Sequence, residues 1–156
     1  MKKLTLILTL LTLGIILFPA YSHAQYGEDA VKKAIRTMFD GMRAGDSSMV
    51  HSVFVDDALM QTIAPNRQGQ IALTDGTLSN FLNALGTPHD QVWDERILSY
   101  EIKIDGAMAS VWTPYEFYAG ERFSHCGVNS FQLMKGNDGW KIIYLVDTRR
   151  RGDACK

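Results

Sequence analysis

Positive charge is not in excess: 16 lysines and arginines stand against 17 aspartates and glutamates. Without Lys2 and Lys3 the balance is net negative, so there is no basic footprint for nucleic acid, and none is expected as a partner. A glycine-rich phosphate loop is missing. His51 and His89 fall in a helix and a loop and read as solvated surface residues. No spacing suggests a zinc site, so neither a metal nor a cofactor is expected. The middle of the chain has no linker, repeat or low-complexity stretch, which leaves one domain. Long apolar runs are limited to Leu4–Phe18, shorter than the roughly 20 residues of a membrane span.

That run follows Lys2 and Lys3, is broken by Pro19, and leads into Ser22-His23-Ala24. A basic start, an apolar core and small residues at the cleavage positions define a secretory signal. Residues 1–24 are therefore expected to be a signal peptide, and 25–156 the mature domain, periplasmic or secreted and free of the membrane after cleavage. Cysteine is scarce, two residues in all, Cys126 and Cys155. In an oxidising compartment they can form one disulfide that ties the tail to the sheet. Two free thiols are the alternative, and spacing leaves both open.

What is present is a helical half followed by a stranded half. Val31, Ile35, Met38, Phe39 and Met42 form one apolar stripe on a helix over Glu28–Ala44. Gly45 ends it as a left-handed cap. Asp46 or Ser47 opens a short helix with Met49, Val50, Val53 and Phe54 inside. Leu59–Ala64 reads as a short strand. Thr77 or Ser79 opens a helix with Phe81, Leu82 and Leu85 inside, stopped by Gly86 and Pro88. Strands are expected at Arg96–Ile104, Ala107–Ala119, Phe123–Lys135 and Trp140–Arg149. Helices followed by an antiparallel meander give an α+β domain with helices packed on one sheet face.

Arg43-Ala44-Gly45-Asp46, then Phe54-Val55-Asp56-Asp57-Ala58, and late in the chain Asp138-Gly139-Trp140-Lys141-Ile142, occur in an order that resembles the nuclear transport factor 2-like superfamily. Within it, the chain is similar to the SnoaL-like and putative lumazine-binding groups. The resemblance implies a cone: a curved antiparallel sheet with N-terminal helices on its concave face. It also implies a pocket inside and a homodimer formed through the sheet. In the steroid-isomerase group the general base lies five residues after the second aspartate of the Asp-Asp-Ala segment, which is Thr62 here. The partner tyrosine lies eight residues before the aspartate after Ala-Gly, which is Met38 here. A threonine is no base near neutral pH, and a thioether donates no hydrogen bond. Steroid-isomerase chemistry in its usual form is not expected, and the domain is read as leaning away from an enzyme.

A tight hairpin centred on Gly120-Glu121 sets Glu116 opposite His125 and Trp112 opposite Asn129. A second, around Asn137-Asp138, sets Phe131 opposite Tyr144. Opposed residues share a face. One face then carries Trp112, Glu116, Tyr118, His125, Asn129, Phe131, Trp140 and Tyr144, an aromatic surface suited to a small organic ligand. Glu116 and His125 are the candidate acid–base pair for a SnoaL-like cyclase, isomerase or hydrolase. The same pair in a structural role is the plainer alternative. A dimerisation module with its cone plugged by Trp112, Phe131 and Trp140 is a third. Carrying the ladder back through Asp105-Gly106 exposes a conflict, because Leu98, Tyr100, Ile102 and Ile104 then lie on the opposite face. Either that face is buried too, or a bulge shifts the register. If the pocket lies on the other face, its polar groups include Ser130, Gln132, Asp147 and Arg149. Arg149-Arg150-Arg151 reads as a solvated end, and the Arg151-Gly152-Asp153 tripeptide as a chance match.

Overall fold

The computed structural model describes residues 20–156, with side chains from Gly27 onward. Residues 1–19, and with them most of the expected signal peptide, lie outside the described residues. The elements are α1 (Ala20–Ala44), α2 (Ser47–His51), β1 (Phe54–Pro65), β2 (Ile71–Thr77), α3 (Leu78–Gly86), β3 (Trp93–Ile97), β4 (Glu101–Asp105), β5 (Met108–Ala119), β6 (Arg122–Gly136) and β7 (Gly139–Thr148), with a 3-10 turn at Gly152–Cys155.

The apolar stripe of α1 does what its spacing predicts: Val31, Ile35, Met38, Phe39 and Met42 are all buried. Gly45 takes φ +66°, and the Asp46 amide bonds the Gly41 carbonyl at 2.9 Å. That long backward bond needs the left-handed residue before it. The Asp46 carboxylate accepts from the Met49 amide at 2.9 Å and caps α2. Met49 was expected inside but is exposed, and only Val50 of this helix is buried. Val53 and Phe54 reach the core beyond the helix end. Thr77 caps α3, accepting from the Asn80 amide at 3.2 Å.

The sheet has seven strands in the order β2-β1-β7-β6-β5-β3, with β4 also on β5. It is mostly antiparallel, but β1 and β7 run parallel, so it is mixed rather than purely antiparallel. The expected strand Arg96–Ile104 is two pieces: β3 pairs the second half of β5 and β4 the first half. β2 is an unexpected edge strand. It is almost wholly exposed and carries Asp75 and Gly76, so it shows no apolar alternation. α1 packs across the concave face, with the Phe39 ring edge-on to Phe131 at 6.3 Å. Val111, Phe131, Leu133 and Ile142 form the sheet side of that core.

Two bulges set which residues face inward. Tyr118 opposes Phe123, but the next pair is Phe117 with His125, so Ser124 is an extra residue in β6. Leu133 opposes Ile142, but Gln132 opposes Tyr144, so Ile143 is an extra residue in β7. Each bulge shifts everything beyond it by one place, and a one-place shift changes the face. The real neighbours are therefore Glu116 with Cys126, Thr113 with Asn129, Trp112 with Ser130 and Asn129 with Asp147. The expected Glu116–His125 and Trp112–Asn129 pairs do not form.

Candidate functional site

A cavity of about 540 Å³ opens between the helices and the concave face of the sheet. Its apolar side comes from Met38, Phe39 and Met42 of α1, Phe81 of α3 and Met60 of β1. Trp93 and Phe117 continue it along β3 and β5. Gln61, Thr62, Thr77 and Asn80 add uncharged polar groups from β1 and the start of α3. The ionisable side is one patch where β3, β6 and β7 present Glu95, His125, Asn129 and Asp147, with Arg149 just past the end of β7. The chain places them there by alternation: Glu95 lies opposite Phe117, Phe117 opposite His125, and Asn129 opposite Asp147.

Asp147 is the hub of this patch. Its Oδ1 accepts from the Thr62 hydroxyl at 2.6 Å. Its Oδ2 accepts from the Tyr115 hydroxyl at 3.0 Å and from Arg149 Nε at 2.8 Å. Thr62 and Met38, the two positions where the isomerase groups are missing, both line the cavity. A carboxylate is still present next to Thr62, one strand over, because β1 and β7 are paired there. Tyr115 also donates to the Thr148 carbonyl at 3.0 Å. Burial, with the Asp147 charge beside it, pushes the tyrosine well above its ordinary value, so it is a neutral donor.

Glu95 Oε1 accepts from Asn129 Nδ2 at 2.7 Å, and Oε2 has no partner among the described residues. Burial pushes the Glu95 carboxyl up to about 8 against the pull of Asn129, and the charge of Asp147 adds to the rise. Near neutral pH this side chain is mostly a carboxylic acid with a donor free for the cavity. His125 lies against Phe117, ring centroids 4.8 Å apart, and shares a hydrogen bond with Ser124 at 3.1 Å. Burial, then the Arg149 charge, lowers it to about 4, so it is a neutral imidazole.

These shifts make stability depend on pH. The folded chain holds a proton on Glu95 that the unfolded chain, with an ordinary value of 4.5, has lost, so stability falls as pH rises toward 8. His125 acts in the opposite sense: below 6.5 the unfolded chain binds a proton first, so stability falls as pH drops toward 4. From 6.5 to 8 Glu95 dominates, and the tail of the unfolded histidine's titration offsets a small part of its effect. The domain should lose about 1 kcal/mol across that window. Glu95→Gln should remove that slope in urea unfolding at the two pH values. Equal slopes in both proteins would refute the protonated state.

Of the residues expected in the site, the structure brings only His125 and Asn129 to the cavity. Trp112 is on the outer face and 48 % exposed. Glu116 is also outside, where it accepts from the Tyr118 hydroxyl at 2.9 Å while the Arg96 guanidinium stacks 3.9 Å above the Tyr118 ring. Tyr144 bonds Gln61 Oε1 at 2.6 Å and lies beside Gln132 on the outer face. Of the other-face set, Asp147 and Arg149 are at the cavity; Ser130 and Gln132 are not. Phe131 and Trp140 are core residues beside a cavity that stays open. Glu95 was missed because it sits in the charged run Asp94-Glu95-Arg96. The usable signal was alternation: an acid between Trp93 and Ile97 on one face is an inward acid. Cys126 and Cys155 are joined as a disulfide, the first of the two alternatives. Among the described residues, no three His, Cys, Asp or Glu side chains are grouped to hold a metal ion.

Helices closing the concave side of a curved mixed sheet around a pocket define an NTF2-like fold. The family model described as "Putative lumazine-binding" matches residues 27–146, and the chain belongs to that family. Among solved structures, an NTF2-like protein with a cystatin-like fold from Novosphingobium aromaticivorans is similar, with a TM-score of 0.68 and 10% identity. That match covers 90% of this chain and 95% of the other. A protein from the same organism described as a putative scytalone dehydratase gives a TM-score of 0.66 at 15% identity, over 84% of this chain and 89% of its own. An NTF2-like protein of unknown function from Shewanella baltica gives 0.60 at 14%, over 86% and 99%. No curated protein matches.

Proposed function

We propose that the cone binds a flat, partly apolar small molecule whose polar edge carries carbonyl-type acceptors. The observation that carries this reading is that all the ionisable side chains lining the cavity are gathered in one cluster, across from the apolar side chains of α1. The free donors of that cluster include the Glu95 hydroxyl and the Arg149 Nη groups. The family description makes lumazine the first compound to try, with flavins and other fused heterocycles beside it. A thermal-shift screen should show stabilisation by such compounds, reduced at least tenfold in affinity by Phe117→Ala. No stabilisation by any of them, with a crystal structure showing the cavity closed by side chains, would sink the reading.

A second reading, acid–base catalysis, rests on Glu95 and His125 rather than on Glu116 and His125. A protonated carboxyl and a neutral imidazole facing one cavity are a proton donor and a proton acceptor. Conversion of a bound compound by the wild type but not by His125→Ala would separate it from binding alone. The disulfide supports export to an oxidising compartment, and a mature chain starting at Gln25 is the expected product on N-terminal sequencing. Exposed Met108 and Met134, opposite one another on the outer face, support a homodimer through the sheet, to be measured by sedimentation.

A further inference from the structure

The outer face carries a second concavity, of about 900 Å³, away from the cone. Its floor is Trp112 of β5 and Val128 of β6; one wall is the β1–β2 hairpin, through Ile63 and Ile71; the other is the C-terminal tail, through Arg150 and Arg151. The apolar residues are open to solvent: Ile71 is 72 % exposed and Trp112 48 %. The tail wall is fixed in place. Arg150 exchanges both backbone hydrogen bonds with Cys126, at 2.8 and 3.1 Å, and Cys155 is bonded to the same Cys126. Arg149 is engaged by Asp147, whereas Arg150 and Arg151 form no ion pair among the described residues.

We infer that this cleft is a second ligand site, one that takes an amphipathic carboxylate with its apolar body on Trp112, Ile63 and Ile71 and its acid group on Arg150 and Arg151. Three features together point to that chemistry. An exposed indole beside branched aliphatic side chains gains by covering with hydrocarbon. Two guanidinium groups without a counter-charge offer planar, two-pronged partners for a carboxylate. The disulfide and the backbone pairing of Arg150 hold the main chain of the tail at a fixed edge of the apolar strip, so only the two side chains are left for the ligand to order. A neutral hydrocarbon lacks the head group, and a short acid lacks the body. Because the cleft shares only Arg149 with the cone, its occupancy does not depend on the reading of the cone.

The test uses decanoate, decanol and acetate with the disulfide-bonded protein. Calorimetry gives affinity, and the indole N–H signals of Trp93 and Trp112 report the two sites separately. Decanoate should bind and shift the Trp112 signal, with decanol and acetate at least tenfold weaker. Arg150→Gln/Arg151→Gln, two exposed positions, should weaken decanoate at least tenfold without lowering Tm. Four results would overturn the proposal: no saturable binding of decanoate, equal binding of decanol, unchanged affinity in the double variant, or a shift of Trp93 alone. Sedimentation of the same samples covers the remaining occupant: a dimer that protects Trp112 and does not yield to decanoate means that a second copy fills the cleft.

Discussion

Gly127→Ala should unfold most readily of the single-methyl changes in this domain, losing about 3–5 kcal/mol. The glycine is not there for its backbone freedom but for room. A Cβ at 127 would stand 1.8 Å from the Thr148 carbonyl oxygen and 2.8 Å from the Tyr115 ring. Neither neighbour is a loose chain end. Thr148 is the last residue of β7, and Tyr115 is 1 % exposed, its ring crossing β6 to reach Asp147 and Thr148. Overpacking of this kind costs about 1–3 kcal/mol. Moving the ring also breaks its hydrogen bond to the carboxylate, a further contribution of about 1.5–3 kcal/mol for a bond to a charged group. Tyr115→Phe isolates the second part, since it deletes the hydroxyl and leaves the ring. Urea unfolding of the three proteins checks the ranking; a Gly127→Ala protein as stable as Tyr115→Phe would show that β7 shifts aside without cost.

Reduction of Cys126–Cys155, or Cys155→Ser with Cys126→Ser, should lower stability by roughly 3.5 kcal/mol, the loop-closure value for a separation of this order. The bridge closes a chain separation of 29 residues that contains the whole of β7. The loss comes chiefly from the unfolded state, which regains freedom when the link is cut. The folded state changes only at its end, because every residue of the tail from Arg149 onward is at least partly exposed. Amide exchange should accordingly rise at Arg150–Cys155 by local opening, and in the slowest amides of β5 and β6 only by the amount of the global loss. A reduced protein with unchanged Tm would mean that the tail adds nothing to the constraint already set by the β6–β7 hairpin.

The sequence carried the class of fold and the inner stripe of α1, since helical periodicity and strand composition are local properties. It also carried Gly45, and Thr77 as one of two candidates with Ser79, because a cap is a local event too. The candidate site was legible only in part, and the reason is specific. Facing depends on register, and register here is reset at Ser124 and Ile143, neither of which has a side chain that marks a bulge. The conflict between the two hairpin ladders was the visible trace, but it did not say where the extra residue lay. His125 and Asn129 kept their places because the expected face and the real one coincide on that part of β6. Trp112, Glu116 and Tyr144 lost theirs. Glu95 was hidden for another reason: a charged triplet reads as surface unless the face of each member is followed separately.

The parallel pairing of β1 with β7 bears on how the domain is made. Thr62 and Asp147 touch although they are 85 residues apart in sequence, and this contact lies in the interior of the sheet rather than at its margin. Such distant pairing slows assembly, since a long loop must close before the contact contributes. Until β7 has emerged from the ribosome, the amino-terminal hairpin has no neighbour on its inner side. A chain with that order of events keeps its amino-terminal hairpin unpaired until its last long strand has been made.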